Sequence, residues 1–125
     1  MRHLFIPFAV IALNEDGQIQ DEEALVDYGI DNYRKMTGVY KGHREFSYLI
    51  PTTSEWLEHK IKSIANIHGQ ESVLFVRNDR SAYLYMLRTG QTVELGQWME
   101  VDENTAERVG AYTHDTKTNK FYTCI

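Results

Sequence analysis

The sequence predicts an α+β sandwich on the βαββαβ plan, with further strands appended after it, and three observations predict it. Residues 8–13 are apolar at every position, the pattern of a strand covered on both faces. Residues 21–36, and those from the cap at Thr52 to about His68, repeat apolar side chains at helical spacing. Residues 44–50, 72–77 and 82–87 read as strands, the last two joined by the turn Asn78-Asp79-Arg80-Ser81. That order of elements is the ferredoxin-like plan, with helices on one face of the sheet. A chain of 125 residues holds one such domain, residues 1–125, with no repeat or linker dividing it.

Each element has a local justification. The first strand ends in the turn Asn14-Glu15-Asp16-Gly17. The helix expected over 21–36 opens on Asp21, Glu22 and Glu23, where a helix N-terminus favours negative charge. Its stripe is Leu25, Gly29, Asn32 and Met36, and Gly38 lies just past its end. Over 44–50 the chain alternates, with Phe46, Tyr48 and Ile50 on one face and Glu45, Ser47 and Leu49 on the other. Pro51 closes that strand. Thr52 and Glu55 then have capping-box spacing, and Gly69 stops the helix they start. Thr92–Val101 and Lys120–Cys124 are weaker strand signals, with a short helical turn over 105–109 between them.

Composition narrows the function. Thirteen basic against 18 acidic residues give a formal charge of −5, which argues against a binder of phosphate backbones. Cys124 is the single cysteine, so a disulfide framework and a cysteine-rich zinc site are excluded, and a reducing, cytoplasmic compartment is expected. Arg2 and His3 before the apolar residues 4–13 imitate a signal peptide. The run is too short to span a bilayer and no small-x-small site precedes the charged turn, so a buried strand is expected.

No phosphate loop, nucleophile elbow or paired metal-ligand histidines occur. His3, His43, His59, His68 and His114 lack ligand spacing, and no metal or cofactor is expected. The informative stretch is 38–49. Because the first strand is apolar on both faces while helices cover one, a second copy of the chain is expected over the other. Glu45 points to that covered face, where an unpaired carboxylate is costly. It either pairs with a Lys or Arg of a neighbouring subunit or awaits a ligand ammonium. Tyr40 either lies over a ligand or covers the core edge, and Gln70 and Glu71 form a loop contact or are solvated.

Three stretches then take on meaning together: Gly38-Val39-Tyr40-x-Gly42-x-x-Glu45, Ser72-Val73-Leu74-Phe75-Val76 and Leu95-Gly96-Gln97-Trp98-Met99-Glu100-Val101. In order and spacing they resemble the bacteriophage S-adenosylmethionine lyases, formerly called hydrolases. The first strand and Lys120–Cys124 are compatible, while the first helical segment and residues 101–115 match poorly. The resemblance implies a PII-like trimer of sandwiches with sites between protomers. It implies cleavage of S-adenosylmethionine to methylthioadenosine and homoserine lactone, in the cytoplasm of an infected host, as counter-defence against restriction–modification. It places the key acid on the strand after the first helix, matched by Glu45, and a tyrosine nearby, matched by Tyr40, with Tyr48, Tyr33 and Tyr28 as rivals. Ser47, Gln70, Glu71 and backbone groups near Ala12 and Asn14 are the expected substrate contacts. The competing reading is a non-catalytic PII-like nucleotide binder or phage inhibitor protein. Neither reading involves nucleic acid or a membrane.

Overall fold

The structure, a computed structural model, describes residues 5–13 and 18–125. In chain order the elements are β1 (Phe8–Ile11), α1 (Gln18–Asp27), β2 (Arg34–Tyr40), β3 (His43–Pro51), α2 (Glu55–Ile67), β4 (Ser72–Val76), β5 (Ser81–Met86), β6 (Thr92–Val101), α3 (Glu103–Val109), β7 (Ala111–Asp115) and β8 (Lys120–Cys124). The strands form a closed barrel in the order β1-β3-β2-β7-β8-β6-β5-β4, antiparallel throughout. Closure overturns the expected ferredoxin-like sandwich. Strands β5, β6 and β8 are not appendages to an open sheet. They carry it round to β7, which pairs with β2 and leaves no edge.

Closure also explains why β1 is apolar on both faces. Ala9 and Ile11 face outward and pack with Tyr48, Ile50, Val73 and Phe75 beneath Leu25 of α1 and Ile61, Ile64 and Ala65 of α2. Phe8 and Val10 face the lumen and pack with Leu49, Val76, Ala82 and Trp98. Each such side chain contributes about 1.5–3 kcal/mol when withdrawn from water. The second face is therefore covered by the chain's own distal strands, and the partner copy expected there is not needed for that purpose. Among the described residues, no helix is long and apolar enough to cross a membrane.

Two local expectations are corrected. The helix expected over 21–36 ends at Asp27. Gly29 sits at φ +79, its N–H donates to the Val26 carbonyl at 2.9 Å, and the Ile30 N–H donates to the Leu25 carbonyl at 2.8 Å. This is a Schellman stop, so Gly29 terminates the helix instead of lying in its stripe. Residues 34–36 belong to β2, which no local signal had marked. At α2 the cap is Ser54, whose Oγ accepts from the Leu57 N–H at 3.1 Å; Thr52 is buried and its N–H donates to the Pro7 carbonyl at 2.9 Å.

A buried polar contact ties α1 to the barrel wall. The Tyr48 hydroxyl donates to Asp21 Oδ2 at 3.0 Å, and both residues are fully buried. Burial, then the Asp21 hydrogen bond, pushes the Tyr48 phenol well above its ordinary range. Tyr48→Phe is expected to destabilise the protein by about 1.5–3 kcal/mol, read by urea denaturation. A loss below about 0.5 kcal/mol would mean that Asp21 is held by its other contacts.

Candidate functional site

Strand pairing decides which side chains share the lumen. Residues opposite one another in an antiparallel pair project to the same face. Leu49 belongs to the lumen cluster, and Ser47 and Glu45 follow it at two-residue intervals on β3. Their partners on β2 are Met36 and Gly38. Gly38 also pairs with Thr113 of β7, and Thr113 with Tyr122 of β8. Glu45, Gly38, Thr113 and Tyr122 thus make one inward row across four strands.

The two acids on this side of the β3, β2 and β7 wall differ. Asp115 is 2% exposed and saturated: Arg34 Nε lies 2.7 Å from Oδ2, and the Lys117 and Thr118 N–H groups donate to Oδ1 at 3.1 and 3.4 Å. Glu45 is half-buried and, among the described residues, makes no hydrogen bond or ion pair. Two residues further in, Ser47 is 5% exposed and its Oγ has no hydrogen-bond partner among the described residues. An unsatisfied buried hydroxyl costs about 1–3 kcal/mol, so Ser47 Oγ is a polar group left available to an outside partner.

The tyrosine alternatives separate by face. Tyr48, Tyr33 and Tyr28 lie outside the barrel, engaged respectively with Asp21, with Glu22 at 3.0 Å and with His68 at 3.2 Å. Tyr40 stands at an inward position at the barrel mouth, 61% exposed, and borders a lumen cavity of about 320 Å³. The cavity is walled by Leu74, Leu84, Leu95, Trp98, Tyr122 and Cys124. Sequence reasoning missed Gly38, Thr113, Trp98 and Tyr122 as candidates. Inward alternation along Thr92–Val101 and Lys120–Cys124 was the available signal for the last two.

The remaining expected contacts are scattered. Ala12 follows Ile11, which pairs with Tyr48, and so comes level with Ser47. Gln70 Nε2 donates to the Leu13 carbonyl at 3.0 Å, pinning the start of β4 to the end of β1. Gln70 and Glu71 border a separate groove of about 540 Å³ with Asn66 and Arg88. Asn14 lies outside the described residues. A larger cleft of about 770 Å³ opens where β2 begins, lined by Glu22, Tyr33, Arg34 and Lys117. Its Arg34 and Tyr33 are already engaged with Asp115 and Glu22, and of the expected site residues it contains only the rival tyrosine Tyr33. One more expectation is corrected here. Glu45 lies on the second strand after α1, not the first, because β2 intervenes.

The closed barrel thus brings a half-buried carboxylate and a buried hydroxyl onto the inward face of the wall that also borders an apolar, aromatic-lined cavity. Residues 12–125 match the model of the S-Adenosylmethionine lyase family, and the chain belongs to that family. It is accordingly a lyase-family protein whose substrate, S-adenosylmethionine, carries both an ammonium and a sulfonium, and whose chemistry is the degradation of that molecule. A search of curated proteins returned no match.

Proposed function

We propose that the chain converts S-adenosyl-L-methionine to methylthioadenosine and homoserine lactone. The substrate's own carboxylate attacks its γ-carbon, the γ-carbon–sulfur bond breaks, and the electron pair leaves with sulfur. Carboxylate and sulfonium charges cancel as the neutral lactone ring and thioether form. The step calls for no metal, cofactor, water nucleophile or protein base. An apolar lumen weakens the hydration of the separated charges of the reactant, and holding the chain folded supplies the near-attack geometry. The observation that carries this reading is Glu45, an acid facing the lumen with no cation of the described chain beside it. It holds the substrate ammonium and so aims the carboxylate. Tyr40 bounds the methionine end at the mouth, and Ser47 Oγ is a further polar contact. A trimer, and a role in removing the methyl donor during phage infection, are proposed from the family resemblance alone.

The test is to incubate the protein with S-adenosylmethionine and identify products by proton NMR. Methylthioadenosine with homoserine lactone supports the reading, and unchanged substrate supports a non-catalytic binder. Ser47→Ala gives a second check. It removes a buried unsatisfied hydroxyl, so the free protein is expected to gain about 1 kcal/mol in urea denaturation while KM rises about fivefold. Unchanged KM would remove Ser47 from the site.

A further inference from the structure

We propose that Gly38 is a specificity-determining residue: the methyl-sized space left by its missing side chain, between Glu45 and Ser47, receives the primary ammonium of an amino-acid ligand. This rests on the reading of the chain as an S-adenosylmethionine lyase and deepens it, by naming what tells an amine-bearing ligand from one without an amine. Six other described glycines have φ between +70 and +93, so the backbone itself calls for glycine at those places. Gly38 has no positive φ. It lies within β2, paired with Glu45 on one side and Thr113 on the other. Crowding does not call for glycine either. A Cβ there would meet Ser47 Oγ at 3.7 Å, the Glu45 carbonyl oxygen at 3.8 Å and Glu45 Cγ at 4.0 Å, all ordinary van der Waals contacts. Alanine therefore fits the free protein. Glycine is the weaker choice inside a strand, because it packs nothing and loses more freedom on folding. The fold gives up stability here and keeps an open space.

The borders of that space select its occupant. On one side is the buried Ser47 Oγ, which has no hydrogen-bond partner among the described residues. On the other is Glu45, half-buried and without a hydrogen bond or ion pair among the described residues. An occupant that satisfies both must be small, carry at least two donors and be cationic. A primary ammonium meets all three conditions, since it is close to a methyl in size and has three N–H donors. Starting from the position of the absent Cβ, its nitrogen moves about 0.8 Å to reach the usual N–H···O distance of about 2.9 Å from Ser47 Oγ. The Glu45 carboxyl carbon is one bond beyond Cγ, on the same border. A methyl fixed at Gly38 would take the place of the nitrogen and leave the free protein undisturbed.

The experiment compares the full chain with its Gly38→Ala variant by thermal denaturation and by calorimetric titration with two probes. S-adenosylhomocysteine carries the amino-acid end without the reactive sulfonium, and methylthioadenosine lacks that end. The variant's Tm is expected to rise by about 2 °C. Its Kd for S-adenosylhomocysteine should weaken about tenfold, while its Kd for methylthioadenosine stays within about twofold of the parent's. A fall in Tm would show that the glycine serves the fold. Unchanged affinity for S-adenosylhomocysteine, or equal losses for both probes, would show that no ammonium sits over Gly38. Each of these results overturns the proposal, as does a parent chain that binds neither probe. Turnover of S-adenosylmethionine separates this inference from the reading beneath it. Turnover that Gly38→Ala leaves unchanged removes Gly38 and keeps the lyase. Selective loss of S-adenosylhomocysteine in a chain without turnover keeps the ammonium space and removes the lyase.

Discussion

Glu45→Gln is expected to lower kcat/KM for S-adenosylmethionine about 100-fold while leaving stability within about 0.5 kcal/mol of the parent. The two halves follow from one fact. Glu45 makes no hydrogen bond or ion pair within the described chain, so removing its charge breaks nothing in the free protein. In the complex proposed above it holds an ammonium, and a hydrogen bond to a charged group contributes about 1.5–3 kcal/mol. The upper end applies in a half-buried, water-poor place, and about 2.7 kcal/mol corresponds to that factor. If Glu45 aims the attacking carboxylate as proposed, the loss falls on kcat as well as KM. Steady-state kinetics beside thermal denaturation make the measurement. Near-parent activity removes Glu45 from its role, and a large fall in stability shows that it serves the fold.

Gly96→Ala is expected to be the most destabilising glycine-to-alanine change among the described residues. Gly96 sits at φ +93 beside the irregularity in the β5–β6 register, where a Cβ would come 2.5 Å from the Ile125 carbonyl oxygen. That oxygen accepts from the Gln97 N–H at 2.9 Å, and the Ile125 N–H donates back to the Gln97 carbonyl at 2.9 Å. The added methyl therefore meets backbone at the seam where β6 joins β8. Left-handed strain costs about 1–2 kcal/mol, and prising the pair apart adds a similar amount, about 3 kcal/mol together. For a chain of this size that lowers Tm by on the order of 10 °C. Gly42 is the control. It shares a positive φ of +81 but has open space around it, so Gly42→Ala should cost only about 1 kcal/mol. Equal losses at the two glycines would show that the close approach to Ile125 carries no weight.

Local pattern revealed parts of this fold and long-range pairing hid the rest. Alternation over 44–50 placed Phe46 and Tyr48 on one side and Glu45 and Ser47 on the other, and the barrel keeps them on opposite faces. The uninterrupted apolar run at β1 marked two-sided cover. What provides that cover is β2 meeting β7 across some seventy intervening residues, and no local spacing encodes such a pairing. The two strands concerned were also the ones without a signal. β2 has Met36 and Val39 three apart, which continues a helical rhythm, and β7 is short and largely polar. Without those two strands the local pattern describes an open sheet, whose bare face calls for a second copy as cover. Gly29 worked the same way: one glycine reads as a stripe member or as a stop, and only its φ and hydrogen bonds decide. The candidate site was legible as an acid on a covered face. Its surroundings were not, because Trp98 and Tyr122 reach Glu45's lumen only through closure.

The oxygen that ends up on the γ-carbon of the substrate distinguishes intramolecular attack from attack by water. Run the reaction in ¹⁸O-enriched water and locate the label in homoserine by mass spectrometry. Intramolecular attack puts a carboxylate oxygen on that carbon, and later opening of the lactone by water labels the acyl end, so the γ-hydroxyl should carry no ¹⁸O. Heavy oxygen in the γ-hydroxyl would mean that water is the nucleophile, and the mechanism built on Glu45 would be wrong.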